Sequence, residues 1–192
     1  MQMTVSAHRA LRRFAVVGAG VAALILGAAT TASAAVVTAN RTVTVSGTTY
    51  TLALSAEDTL AAAGQTVAVE GHGYNTGQGV YVGLCVIPDT FDPANPVYGT
   101  APTPCLGGAD QTGSTGASHW VSNSILAGTI ANSSKWTVEN GTGAFAVSIY
   151  VNPNISASAI CGDTVQCAIV TRADHTASSN RTYDLFLPVT FQ

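Results

Sequence analysis

Seven segments of this chain alternate apolar and polar residues with a period of two. They are "RTVTVSG" (41–47), "YTLALS" (50–55), "QTVAVEG" (65–71), "GVYVGLCVI" (79–87), "GAFAVSIYV" (143–151), "QCAIVTR" (166–172) and "YDLFLPVTF" (183–191). Successive side chains of a strand point to opposite faces, so this alternation is the signature of a half-buried strand. The segments are rich in Val, Thr, Ile and aromatics and are bounded by Gly, Asn, Asp or Pro, as strands and their turns require. From residue 35 onward no stretch sustains an apolar 3.6-residue period over three turns, and "AEDTLAAAG" (56–64) is expected to bend between strands. Turns are expected at "EGHGYNTGQG" (70–79) and at "VENGTG" (138–143), whose Asn-Gly pair tolerates positive φ. Short strands at this spacing, without helices, predict an all-β fold, a β-sandwich.

Residues 1–34 stand apart from this pattern. Arg9, Arg12 and Arg13 precede an apolar run, "FAVVGAGVAALILGAA" (14–29), which is followed by "TTASA". A basic start, an apolar centre and small residues at the end are expected of a secretory signal cleaved after Ala34. The run falls short of a comfortable membrane span, so no transmembrane anchor is expected once the signal is removed. Residues 35–192 are then expected to form a single domain. That part holds four basic residues (Arg41, Lys135, Arg172, Arg181) against ten acidic ones, a net charge of −6. Such a balance offers no footprint for a phosphate backbone, so direct nucleic-acid binding is not expected.

Four cysteines, Cys85, Cys105, Cys161 and Cys167, are an even set in an exported chain and read as disulfides. They allow three pairings, of which the sequential one is simplest. No C-x-x-C spacing or paired histidine supports zinc, and neither metal nor cofactor is expected.

Three blocks carry a resemblance to a known family. They are "AGQTVAVEGHGYNTGQGVYVGLCVI" (63–87), "ENGTGAFAVSIYV" (139–151) and "CGDTVQCAIVTRADHTASSNRTYDLFLPVTF" (161–191). Together they resemble the neocarzinostatin-like enediyne apoproteins, secreted actinobacterial proteins, over roughly residues 50–191. The resemblance implies an immunoglobulin-like antiparallel sandwich of about seven strands with a small hairpin appendage, and the pairs Cys85–Cys105 and Cys161–Cys167. It also implies a cleft for a small apolar molecule, with Cys85 and Cys105 at its floor and the loop carrying Asp174 and His175 along one wall. Ile87 stands where the family has an aromatic, and Ala168 where it has a polar residue. Residues 88–138 form a loop-rich insertion relative to the family, with "SHWVSNSILAG" (118–128) and "SKWTV" (134–138) as short extra strands.

Charge is scarce in this chain, yet "TRADHTASSNRTYD" (171–184) holds Arg172, Asp174, His175, Arg181 and Asp184. A nucleophilic triad there needs a nucleophile on a sharp turn and a base in reach, and no such signature is present. Asp174 and His175, adjacent on a strand, would point to opposite faces. His72, His119 and His175 are scattered without ligand spacing. The stretch is therefore expected to be a hairpin, pinned by an exposed Arg172–Asp184 pair, whose loop borders the cleft. Trp120 and Trp136, inside the insertion, are expected to line the cleft, whereas Tyr81 is expected in the core. "LPVTF" (187–191) reads as the terminal strand, with Pro188 at an edge or bulge. The function expected is non-enzymatic binding of a small apolar molecule. The alternative is a structural or interaction protein of the cell envelope, using the loop at 88–116 as its contact surface.

Overall fold

The computed structural model describes residues 35–108 and 113–192; the signal expected over residues 1–34 lies outside the described residues. Along the chain the strands are β1 (Val36–Val45), β2 (Thr48–Glu57), β3 (Thr59–Leu60), β4 (Gln65–Tyr74), β5 (Val80–Val86), β6 (Ser118–Val121) and β7 (Ser133–Ser134). They continue as β8 (Thr137–Glu139), β9 (Thr142–Val151), β10 (Asn154–Ser156), β11 (Ala159–Ile160), β12 (Cys167–Ala173), β13 (Leu185–Pro188) and β14 (Thr190–Phe191). Two five-stranded sheets result, ordered β1-β2-β4-β9-β8 and β13-β12-β5-β6-β7. The chain crosses between them from β4 to β5, back from β7 to β8, and again from β9 to β12, as in an immunoglobulin-like sandwich. Both disulfides are formed, Cys85–Cys105 and Cys161–Cys167. Among the described residues no helix is long and apolar enough to cross a membrane.

Period-two patterning sorts the two faces. Leu52, Leu54, Val67, Val69 and Ile149 of the first sheet meet Val80, Val82, Leu84, Ile169, Leu185 and Leu187 of the second in the main core, each at most 2% exposed. Two hairpins close with paired positive φ values, 48° and 81° at Ser46-Gly47 and 49° and 81° at Asn140-Gly141, the turn whose twist matches that of the strands. The expected turn at 70–79 is shorter than its glycines suggested. β4 continues through "GHGY" to Tyr74 by means of a bulge between Gly71 and Tyr74. Gly73 makes this possible: its φ is 77°, and a Cβ there would run into the Thr51 carbonyl. The last segment also divides. Pro188 closes the edge strand β13, and after Val189 the chain changes partner, so β14 runs parallel to β3.

The outer face of the second sheet sets up the functional site. Tyr81, Gly83 and Cys85 point outward from β5 and lie opposite Arg172, Val170 and Ala168 of β12; Phe186 of β13 lies opposite Val170. Such a face is ordinarily wet and polar in an antiparallel sandwich. Here it is largely apolar, and residues 88–105 fold across one half of it. Phe91 and Tyr98 pack on the Phe186 ring, with centroids 5.2 and 5.0 Å away. The segment then returns alongside β5, with the Thr103 amide donating to the Val86 carbonyl (2.9 Å) and the Leu106 amide to the Leu84 carbonyl (2.9 Å).

Candidate functional site

A cavity of about 180 Å³ opens on the uncovered half of this face, beside Cys85–Cys105. Gly83 forms its floor. A strand residue without a side chain, flanked by outward-facing Tyr81 and Cys85, leaves a hollow one side chain deep. Val170 and the disulfide supply apolar walls, Tyr81 closes one side, and Arg172 stands at the rim. A Cβ on Gly83 would come no nearer than 3.5 Å to its neighbours, so steric crowding does not require the glycine.

A second hollow of about 570 Å³ lies at the turn after β12, where Trp120, Asp174 and His175 meet Thr176 and Ser122. Asp174 is only 1% exposed. Its carboxylate accepts four hydrogen bonds: from Gln78 Nε2 (2.9 Å), Trp120 Nε1 (2.9 Å), the Thr176 amide (3.0 Å) and the Thr176 hydroxyl (2.5 Å). Burial works against its ionisation, but the Thr176 hydroxyl, the Trp120 N–H, the Thr176 amide and nearby His175 outweigh it and hold Asp174 below its ordinary value. Its acceptor capacity is spent on fastening the turn to β6. Gly79 completes the clasp, because a Cβ there would collide with the carboxylate. His175 lies against the same Trp120 ring, at 5.4 Å between centroids, and pairs through Nδ1 with the Tyr81 hydroxyl at 2.8 Å.

The site residues read from the sequence therefore divide. Cys85 and Cys105 line the first hollow, Trp120, Asp174 and His175 line the second, and Tyr81 joins the two through His175. Two residues go elsewhere. Ile87 is 2% exposed, packed with Phe91, Ala168 and Phe186 under the 88–105 segment. Trp136 is 6% exposed in the main core, stacked on Tyr74 at 5.4 Å and against Phe145 at 5.9 Å. It directly precedes the short strand β8, and its ring swings between the sheets rather than into a cleft. Tyr81, expected in the core, belongs to the outer face because Val80 and Val82 take the inner one.

The charged hairpin is also built differently. Asp184 is fully buried, and its partner is Arg181 (Nη1 to Oδ2, 2.9 Å), not an exposed Arg172. Arg41 reaches over from β1 and donates to the carbonyls of Arg181 (2.8 Å) and Asp184 (2.5 Å). Burial pushes the Asp184 carboxyl up to about 6, against the pull of Arg181, Arg172 and Arg41. Arg172 instead donates Nη1 to the Pro102 carbonyl at 3.3 Å.

The three histidines among the described residues stay apart: His72 pairs with Glu139 (3.0 Å), His119 with Ser134 (3.1 Å) and His175 with Tyr81. Among the described residues no group of three or more His, Cys, Asp or Glu is placed to hold a metal ion. Sequence reasoning missed Gly83, Val170 and Arg172 as lining residues. Their signal was the apolar outward set on β5 and β12, which alternates with the inward set just as regularly. Comparison with known families, characterised proteins and solved structures finds no match for this chain.

Proposed function

We propose that this protein is an exported, non-enzymatic immunoglobulin-like module that binds a small apolar molecule in the hollow beside Cys85–Cys105. The observation that carries the reading is the cavity of about 180 Å³ over Gly83, walled by Val170 and the disulfide on a sheet face that a simple sandwich would leave wet. The volume is below the roughly 300–1,000 Å³ of drug-sized sites and close to the roughly 150 Å³ that accommodates a benzene ring. Two disulfides and the basic–apolar–small pattern of residues 1–34 support export. The neocarzinostatin-like resemblance supports a binding role for this face.

Gly83→Val tests the reading, since β-branched residues suit strands and a Cβ fits there. The variant is expected to retain the fold and lose binding of single-ring apolar probes such as toluene, followed by calorimetry. Undiminished binding in Gly83→Val would place the ligand elsewhere. An envelope-contact role draws support from Val97, 75% exposed on the 88–105 segment. Cell fractionation separates the two, because a protein found only in the medium is not an envelope component.

A further inference from the structure

We infer that the hollow beside Cys85–Cys105 takes a small organic acid: a single-ring apolar body seated over Gly83, with its carboxylate on the Arg172 guanidinium. This deepens the binding role proposed above and rests on it.

The argument starts from how the basic residues of this acidic chain are used. Of the four from residue 35 onward, Arg41 and Arg181 are committed to the turn at 181–184, through the carbonyls of Arg181 and Asp184 and the Asp184 carboxylate. Arg172 is placed otherwise. It stands opposite Tyr81 on the outer face and lines the hollow. A guanidinium has five N–H donors. Arg172 spends Nη1 on the Pro102 carbonyl at a long 3.3 Å, and its Nε is buried with no hydrogen-bond partner among the described residues. The acid in its neighbourhood, Asp184, feels its charge but makes no hydrogen bond to it: Oδ2 is taken by Arg181 and Oδ1 has no partner among the described residues. A partly buried guanidinium with donors to spare, lining an apolar hollow, favours a planar anion that accepts two parallel hydrogen bonds.

The rest of the hollow decides what carries that anion. Gly83, Val170 and Cys85–Cys105 present apolar surface. At about 180 Å³ the space suits one ring and little more. Tyr81, held through its hydroxyl by His175 at 2.8 Å, bounds the side toward the second hollow. An amine in place of the acid would set a cation against Arg172, and a neutral analogue would offer the guanidinium no charged acceptor for its remaining donors. Inorganic anions would satisfy Arg172 but leave the apolar floor unfilled.

The test is a calorimetric titration of the purified protein with benzoate, benzyl alcohol, toluene and benzylamine, four probes of similar size that differ in charge. Wild-type protein is expected to bind benzoate about tenfold or more tightly than benzyl alcohol, with benzylamine weakest. Arg172→Met is expected to bring benzoate down to the level of benzyl alcohol and to leave the alcohol within about twofold. Arg172→Lys is expected to fall between, because a point charge replaces a two-pronged donor. Benzyl alcohol and toluene binding with no advantage for benzoate would overturn the inference and leave the cavity reading intact. Failure of all four probes to bind wild-type protein would overturn both. A benzoate preference that survives in Arg172→Met overturns the assignment to Arg172. The wild-type comparison decides the anion question by itself if the variant does not fold.

Discussion

Asp184 and Asp174 are both buried aspartates of the 174–184 hairpin, and they pull stability in opposite directions with pH. For Asp184 burial raises the carboxyl from 3.8 to about 6. Between those values the native state holds the proton and the unfolded chain does not, so this group's contribution is fully present below about pH 4 and is lost as pH rises through about 6. The displacement corresponds to about 3 kcal/mol. Asp184→Asn, uncharged at every pH, is expected to flatten the decline in urea-unfolding stability between pH 4 and 7. Asp174 has a depressed value, so its contribution is present above the ordinary carboxylate range and is lost as pH falls. Trp136 offers a second test. Its Nε1 is buried without a partner among the described residues, and an unsatisfied donor there is costly. Trp136→Ala is expected to cost about 3–5 kcal/mol in denaturant unfolding. Trp136→Phe, which removes the orphaned N–H along with some ring area, is expected to cost within about 1 kcal/mol.

Each disulfide stabilises a different element. Cys85–Cys105 spans 20 residues and ties the 88–105 cover to β5; Cys161–Cys167 spans 6 and closes the approach to β12. By loop-closure entropy the first is expected to contribute about 3 kcal/mol and the second about 2 kcal/mol. Double alanine replacement of each pair, compared by urea midpoint, checks the order. Only the first replacement is expected also to weaken binding of apolar probes, because those sulfurs wall the cavity. At this scale the strands were the legible part. "QTVAVEG" and "GAFAVSIYV" became β4 and β9, paired from Gln65–Val151 to Gly71–Phe145. What was hidden were exceptions to local rules. The glycines of "EGHGY" mark a bulge rather than a turn, since Gly73 is needed for close approach to Thr51. "LFLPVTF" reads as one strand, yet it changes sheets at Val189 because Thr190 bonds to Asp58 across the sandwich.

For the molecule as a whole, the two aspartates and the net charge combine. Lowering pH from 7 relieves repulsion among residues 35–192, which carry a net charge of −6, and protonates Asp184, whereas further acid neutralises Asp174. Thermal stability is therefore expected to peak near pH 4–5, at about the lower end of the Asp184 window, and a melting series from pH 3 to 8 shows whether it does. The alternation of β2, β4 and β9 was sufficient to specify an all-β sandwich, because one buried face imposes a period of two on any strand. The expectations of disulfides, of an export signal and against nucleic-acid binding were equally local, being matters of composition and order. The site was not local. Whether Tyr81 or Val82 faces the core depends on which of two apolar faces meets the other sheet, and the strand pattern is the same either way. Trp120 and Trp136 had the same residue type and the same insertion, yet one ended on a hollow and the other in the core. Arg172 and Asp184 were expected to pair, but burial and the reach of Arg41 gave Asp184 to Arg181 and left Arg172 facing the cavity. Period and composition determined the sandwich; long-range packing of residues 88–105 over its outer face decided where a hollow remained and which charge looked into it.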